Sequence, residues 1–289
     1  MRHILSTLIL MLLVAATALH AAAVRPDSIP DDEEDPYFLL CGQADKAIKD
    51  GEYDEAAARL IDAMSIRPDS PQNILLLSNL GMVYSYMGRD SLALATLDEA
   101  HRKAPAMRTV LSNRARVLLR MGRDNEAYRD YTAVLAADSL NADARYYHGT
   151  IALYSGDIDT AGRDFAVLES VAPDATDTAI ALSTFYSTTG RDKEAIPYLK
   201  KVIATEPSPV YYAALAGCYL ALQQLSDASA TLAEALKKYP HDPELYYYRA
   251  MLNRDRYRLD EAKADAREAV RLGLSPAKAK ALFEQKGKR

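Results

Sequence analysis

Few residues of this chain have the types and spacing that reactive chemistry requires. Of five histidines, His3 and His20 fall in the first 23 residues, leaving His101, His148 and His241. No pair of them has the H-E-x-x-H spacing that sets two imidazoles on one helix face around zinc. Only two cysteines occur, Cys41 and Cys218, too far apart in sequence for a metal-binding knuckle. No glycine-rich run resembles a phosphate-cradling loop. Carboxylates are plentiful, but they alternate with Lys and Arg at helical spacing, the pattern of ion pairs on solvated faces. The expectation is therefore no catalytic residue, no metal and no cofactor.

What the composition does favour is recognition. There are 19 tyrosines against 4 phenylalanines and no tryptophan, with clusters at Tyr146–Tyr147, Tyr211–Tyr212 and Tyr246–Tyr248. One short stretch holds Arg108, Arg114, Arg116 and Arg120. Tyrosine combines a large apolar body with a polar tip, and the planar guanidinium matches a carboxylate in bidentate fashion.

The elements that position these residues repeat. "GRDNEA" at Gly122–Ala127 recurs as "GEYDEA" at Gly51–Ala56, "GRDSLA" at Gly88–Ala93, "GDIDTA" at Gly156–Ala161 and "GRDKEA" at Gly190–Ala195. "QQLSDA" at Gln223–Ala228 and "YRLDEA" at Tyr257–Ala262 are weaker copies. Successive closing alanines lie 37, 34, 34, 34, 33 and 34 residues apart, a period that indicates stacked repeat units. Each box separates two apolar runs of helical period, so it reads as the turn of a helical hairpin. Glycine suits the left-handed end of the first helix, and Asp, Ser or Asn is expected to cap the second. The alanine then lets the two helices approach closely.

Other places in the unit agree. Twelve residues before each alanine stand Ala44, Gly81, Ala115, Gly149, Ser183, Ala216 and Ala250, all small. Four after it stand Leu60, Leu97, Tyr131, Phe165, Leu199, Leu232 and Ala266, mostly bulky. Pro68, Pro105, Pro173, Pro207 and Pro240 close second helices. The pattern resembles the tetratricopeptide repeat, a 34-residue helix–turn–helix unit. The resemblance implies an all-α, right-handed superhelical solenoid of about seven hairpins plus a C-terminal capping helix. The repeats are placed at 37–70, 74–107, 108–141, 142–175, 176–208, 209–242 and 243–276, with the cap and tail at 277–289. The long first spacing is read as three additional residues, Pro71–Asn73, extending the next helix at its start. In a solenoid of this kind Cys41 and Cys218 lie tens of ångströms apart, so both are expected as free, mostly buried thiols.

The N-terminus differs. Arg2 precedes an apolar run from Ile4 to Leu19, and Ala21–Ala23 offers a cleavage site, so residues 1–23 read as a signal peptide and the expected location is a bacterial periplasm. Without cleavage the same run would anchor the chain in a membrane, the one membrane contact expected. Residues 24–36, "VRPDSIPDDEEDP", form an acidic, proline-containing tether. A formal charge of −5 argues against a nucleic-acid partner.

In the tetratricopeptide family the first helices line a concave groove. Carried over place by place, the resemblance puts Tyr86, Arg116, Arg120, Tyr146, Tyr154, Tyr247 and Arg254 in that groove, with Asn113 at its border. Asp157 or Glu194 is the expected internal acid for the two arginines. The carboxylate clamp that some members use for chaperone tails is incomplete, since repeat one offers Cys41 and Asp45 and repeat two Ser78 and Met82. The expected function is an exported, non-catalytic scaffold binding an unidentified protein or peptide, an acidic one among the candidates. A carbohydrate- or small-ligand-binding protein using the same groove is the alternative.

Overall fold

The computed structural model describes residues 35–284. The segment expected to be a signal peptide, the expected tether up to Glu34 and the last five residues, 285–289, lie outside the described residues. Fifteen α-helices follow one another, with no strand among the described residues. First and second helices alternate: α1 Pro36–Asp50, α2 Tyr53–Ile66, α3 Asn73–Tyr86, α4 Asp90–Lys103, α5 Arg108–Arg120, α6 Asp124–Ala137, α7 Ala142–Ser155 and α8 Ile158–Val171. They continue as α9 Thr176–Thr188, α10 Asp192–Thr205, α11 Pro209–Ala221, α12 Leu225–Lys238, α13 Pro243–Asp255, α14 Leu259–Arg271 and the single α15 Pro276–Glu284. The chain divides into two compact units, the first ending at Val167 and the second beginning at Leu168.

Each box makes a hairpin turn. The five box glycines, Gly51, Gly88, Gly122, Gly156 and Gly190, have φ between 70° and 91°. In the two copies without glycine, Gln223 and Tyr257 adopt the same left-handed conformation at φ 57° and 60°. The turn geometry is thus imposed by hairpin packing, and these two side chains carry a steric cost. All seven box alanines have zero exposure. Where the first helix has glycine, the partner bulk fills the space: a Cβ on Gly81 would sit 2.5 Å from Leu97 Cγ, and one on Gly149 would sit 2.7 Å from Phe165 Cε1.

The capping expectation needs correction. Asp157 Oδ1 accepts from the Thr160 backbone N–H at 3.1 Å. The residues preceding α2, α4, α6, α10, α12 and α14 (Glu52, Arg89, Arg123, Arg191, Gln224 and Arg258) make no side-chain cap. The box aspartates Asp90, Asp124 and Asp192 instead occupy the first helical position, where a negative charge still favours the helix dipole. Caps do form before first helices, from Asp35, Asn141 and Asp242. The insertion also behaves differently. Pro71 and Gln72 form a turn, and α3 begins at Asn73 with an ordinary 14 residues. Proline at 71 lacks the N–H that the Ser70–Asn73 turn leaves unused, so the additional residues lengthen the loop.

Three carboxylates are buried rather than solvated: Asp130, Asp164 and Asp265, at 5%, 2% and 7% exposure. Each lies three residues after its box alanine and meets the basic side chain 16 residues before it, on the first helix of the same hairpin. Arg114 holds Asp130 through Nε and Nη2 at 2.8 and 2.6 Å, and Arg249 holds Asp265 at 2.9 and 2.5 Å. His148 Nδ1 lies 2.5 Å from Asp164, which also accepts from Arg145 Nη1 at 2.5 Å. Leu80, Leu182 and Leu215 take the corresponding first-helix place in three other repeats. One place in the hairpin thus accepts either an apolar contact or a buried ion pair.

Candidate functional site

In the first unit, α3 packs beside α5, and polar contacts tie α3, α5 and α7 into one wall. Asn113 on α5 donates to Ser78 Oγ on α3 at 3.0 Å. Arg116 on α5 donates through Nη2 to Asp143 on α7 at 2.6 Å. The Arg116 guanidinium also lies 5.8 Å from the centroid of the Tyr147 ring. Burial works against its charge, but the Asp143 carboxylate supports it, and its pKa is raised. Beneath it, Tyr131 is fully buried and stacks on Tyr147 at 5.3 Å. Burial drives the Tyr131 phenol well above its ordinary range, so it stays neutral. The Tyr131 hydroxyl and Arg116 Nε are both buried without a hydrogen-bond partner among the described residues.

One turn further along α5, Arg120 reaches Asp90 at the start of α4, at 3.2 Å. Arg116 and Arg120 are each about one-third exposed. Tyr86 is half-buried and stacks on Tyr53 at 5.3 Å. Tyr154 is half-buried, and burial pushes its phenol up.

Tyr86, Asn113, Arg116, Arg120 and Tyr154 all belong to the first unit, and the two arginines meet other acids than expected. The acids that meet the two arginines are Asp143 and Asp90, whereas Asp157 caps α8 and Glu194 pairs with Arg191 at 3.1 Å. Both expected acids sit at box turns, where local backbone N–H groups and arginines claim them first. Tyr146 has 7% exposure and packs edge-on to Tyr147 at 4.9 Å, so it supports the wall rather than lining it. Asp143 was missed although its place was legible, because it occupies the second position of repeat four, one of the places the family turns inward.

The second unit holds Tyr247 and Arg254, both already engaged. Arg254 donates to Asp255 at 2.9 and 2.8 Å and to the Leu282 carbonyl of α15 at 3.0 Å. Lys278 of α15 lies 4.6 Å above the Tyr247 ring and pairs with Glu244 at 2.6 Å. The capping helix covers these two positions and takes them out of an open wall. Cys218 is buried beside Ser187, and burial pushes its thiol up to about 12. Cys41 is half-buried, and both thiols are free.

Residues 193–252 match the family model described as tetratricopeptide repeat. The chain carries tetratricopeptide repeats. Solved structures agree on the fold. A tetratricopeptide repeat protein from Parabacteroides merdae is 22% identical, with 86% of this chain and 98% of that one covered and a TM-score of 0.61. PilW, a widely conserved type IV pilus biogenesis factor, is 19% identical over 72% of this chain and 96% of its own, with a TM-score of 0.64. YrrB, a tetratricopeptide repeat protein with an unusual peptide-binding site, is 17% identical over 65% and 97%, with a TM-score of 0.55. No curated protein matches the chain.

Proposed function

We propose that this protein is an exported, non-catalytic scaffold that binds an acidic peptide or partner segment on the α3–α5–α7 wall. The observation that carries this reading is the pair Arg116 and Arg120, one helical turn apart on α5. Each is partly exposed and held by a single internal carboxylate. A ligand carboxylate can replace Asp143 or Asp90 at a partly exposed guanidinium, with Tyr86 and Tyr154 packing alongside. Fold likeness to peptide-binding YrrB and to the pilus factor PilW is compatible with this class of work. Export rests on the N-terminal apolar run and the alanines after it.

The test is retention of partners from an envelope extract by the wild type and by a variant with Arg116→Ala and Arg120→Ala. Loss of a discrete protein partner, equivalent to roughly 1–3 kcal/mol of binding, is expected with folding intact. Binding should also weaken as salt rises, because the pairs face water. Affinity untouched by both substitutions would remove this wall from the site. Glycan binding with no protein retained would favour the carbohydrate reading instead.

A further inference from the structure

Charge is unevenly distributed along this chain. Residues 24–36 hold six acids and one arginine, a net −5, with Asp31–Asp35 uninterrupted. Residues 243–289 hold twelve Lys and Arg against seven acids, a net +5. Much of that positive charge is internally committed: Arg249 to Asp265, Arg254 to Asp255, Arg271 to Glu268 and Lys278 to Glu244. Arg258, Lys263 and Arg267 are different. All three are exposed, and none has a side-chain hydrogen bond or ion pair among the described residues. Leu259, Lys263 and Arg267 are spaced four apart on α14, so they share one face.

The same edge is also apolar. Tyr257 is 91% exposed, the most open large apolar side chain among the described residues, and Leu259 beside it is 50% exposed. Arg256 bonds from this turn to the Leu225 carbonyl and to Ser229 Oγ, which places the turn of repeat six, with exposed Leu222, next to it. Tyr257 also stands in a left-handed conformation that glycine would adopt at lower cost. The hairpin turn fixes this φ, and it leaves an exposed ring beside the exposed Arg258, an apolar surface next to a positive charge.

The geometry points to this edge, Tyr257, Arg258, Leu259, Lys263 and Arg267, as a docking surface for the acidic segment 24–35 of a second copy of the chain. The three uncommitted cations face an occupant of opposite sign, and the chain itself carries one in the four consecutive acids Asp31–Glu34. Ile29 and the prolines of that segment supply apolar contacts for Tyr257 and Leu259. Asp35, which caps α1 and pairs with Arg67, fixes where the segment leaves the fold. Repeated from copy to copy, the contact joins molecules head to tail. This inference is independent of the α3–α5–α7 wall.

The experiment is sedimentation of the purified chain over a range of concentration and salt, with three variants. Arg258→Glu, Lys263→Glu and Arg267→Glu together should weaken association by about tenfold or more, as expected for three exposed pairs reversed. Replacing Asp31, Asp32, Glu33 and Glu34 by lysines, with Asp35 kept as the cap of α1, should do the same. Both sets in one chain should restore it, which separates lost pairing from lost folding. Wild type that stays monomeric at every concentration overturns the proposal, as does association indifferent to either set. Binding of the monomer to phosphatidylglycerol vesicles through Tyr257 and these cations, without self-association, would overturn it in favour of a lipid surface.

Discussion

Substituting alanine for glycine at Gly42 and at Gly149 should shift stability in opposite directions, although the chemical change is the same. Both glycines lie inside first helices, in α1 and α7. In a helix interior the change to alanine contributes about 0.5–1 kcal/mol by restricting the unfolded chain. At Gly42 a new Cβ meets nothing within 4 Å, so the full gain is expected. At Gly149 it would lie 2.7 Å from Phe165 Cε1, 2.9 Å from Asp164 Cβ and 3.0 Å from Phe165 Cδ1. Phe165 is 1% exposed and cannot swing aside, and moving Asp164 strains its bonds to His148 and Arg145. Overpacking of this kind costs about 1–3 kcal/mol. The closeness of three atoms places it in the upper half, leaving a net loss of about 1–2 kcal/mol. The two variants should therefore differ by roughly 2–3 kcal/mol in urea unfolding, read from midpoints at unchanged slope. If Gly149→Ala is as stabilising as Gly42→Ala, the close approach of first and second helices is wrong.

Three further outcomes follow from the fold. Gln223→Gly and Tyr257→Gly should each raise stability by about 0.5–1 kcal/mol in the same assay, since glycine removes the left-handed penalty. Asp130→Asn should cost about 2–3 kcal/mol by leaving Arg114 half-buried with only Asp98, whereas Arg114→Met with Asp130→Leu should recover most of it, as a double-mutant cycle will show. Because burial raises the Cys218 thiol to about 12, its thiolate is scarce at pH 8, and iodoacetamide should modify Cys41 well before Cys218 in native protein, with equal rates after unfolding.

The architecture was legible in the sequence because one steric requirement recurs. A small residue faces a bulky one where two helices touch, and this leaves Ala, Gly or Ser in register with Leu, Phe or Tyr in six of the seven copies, Ala266 being the exception. Even the turns without glycine keep their shape, since packing decides φ there. The partners of charged side chains were less legible. Arg116 meets Asp143 27 residues on, a spacing set by how neighbouring hairpins stack, which no local pattern encodes. Asp130, Asp164 and Asp265 read as surface acids because carboxylates that alternate with Lys and Arg at helical spacing look solvated. Only the matching basic side chain 16 residues earlier, seen hairpin by hairpin, reveals them as buried pairs. Tyr247 and Arg254 were assigned to the groove by their places in the repeat, but the last repeat has a capping helix where its neighbour would be, and that helix covers them.

The central claim, that a partner segment lies against the α3–α5–α7 wall, is tested most directly by site-specific photocrosslinking. A photoreactive phenylalanine replaces Tyr86 or Tyr154 on the wall, or Arg129, which is exposed on the second helix α6. Crosslinks to a discrete protein from the two wall positions, absent from Arg129 and lost when Arg116→Ala and Arg120→Ala are added, are the predicted result. Crosslinks that form equally from Arg129, or that persist without the two arginines, would contradict it.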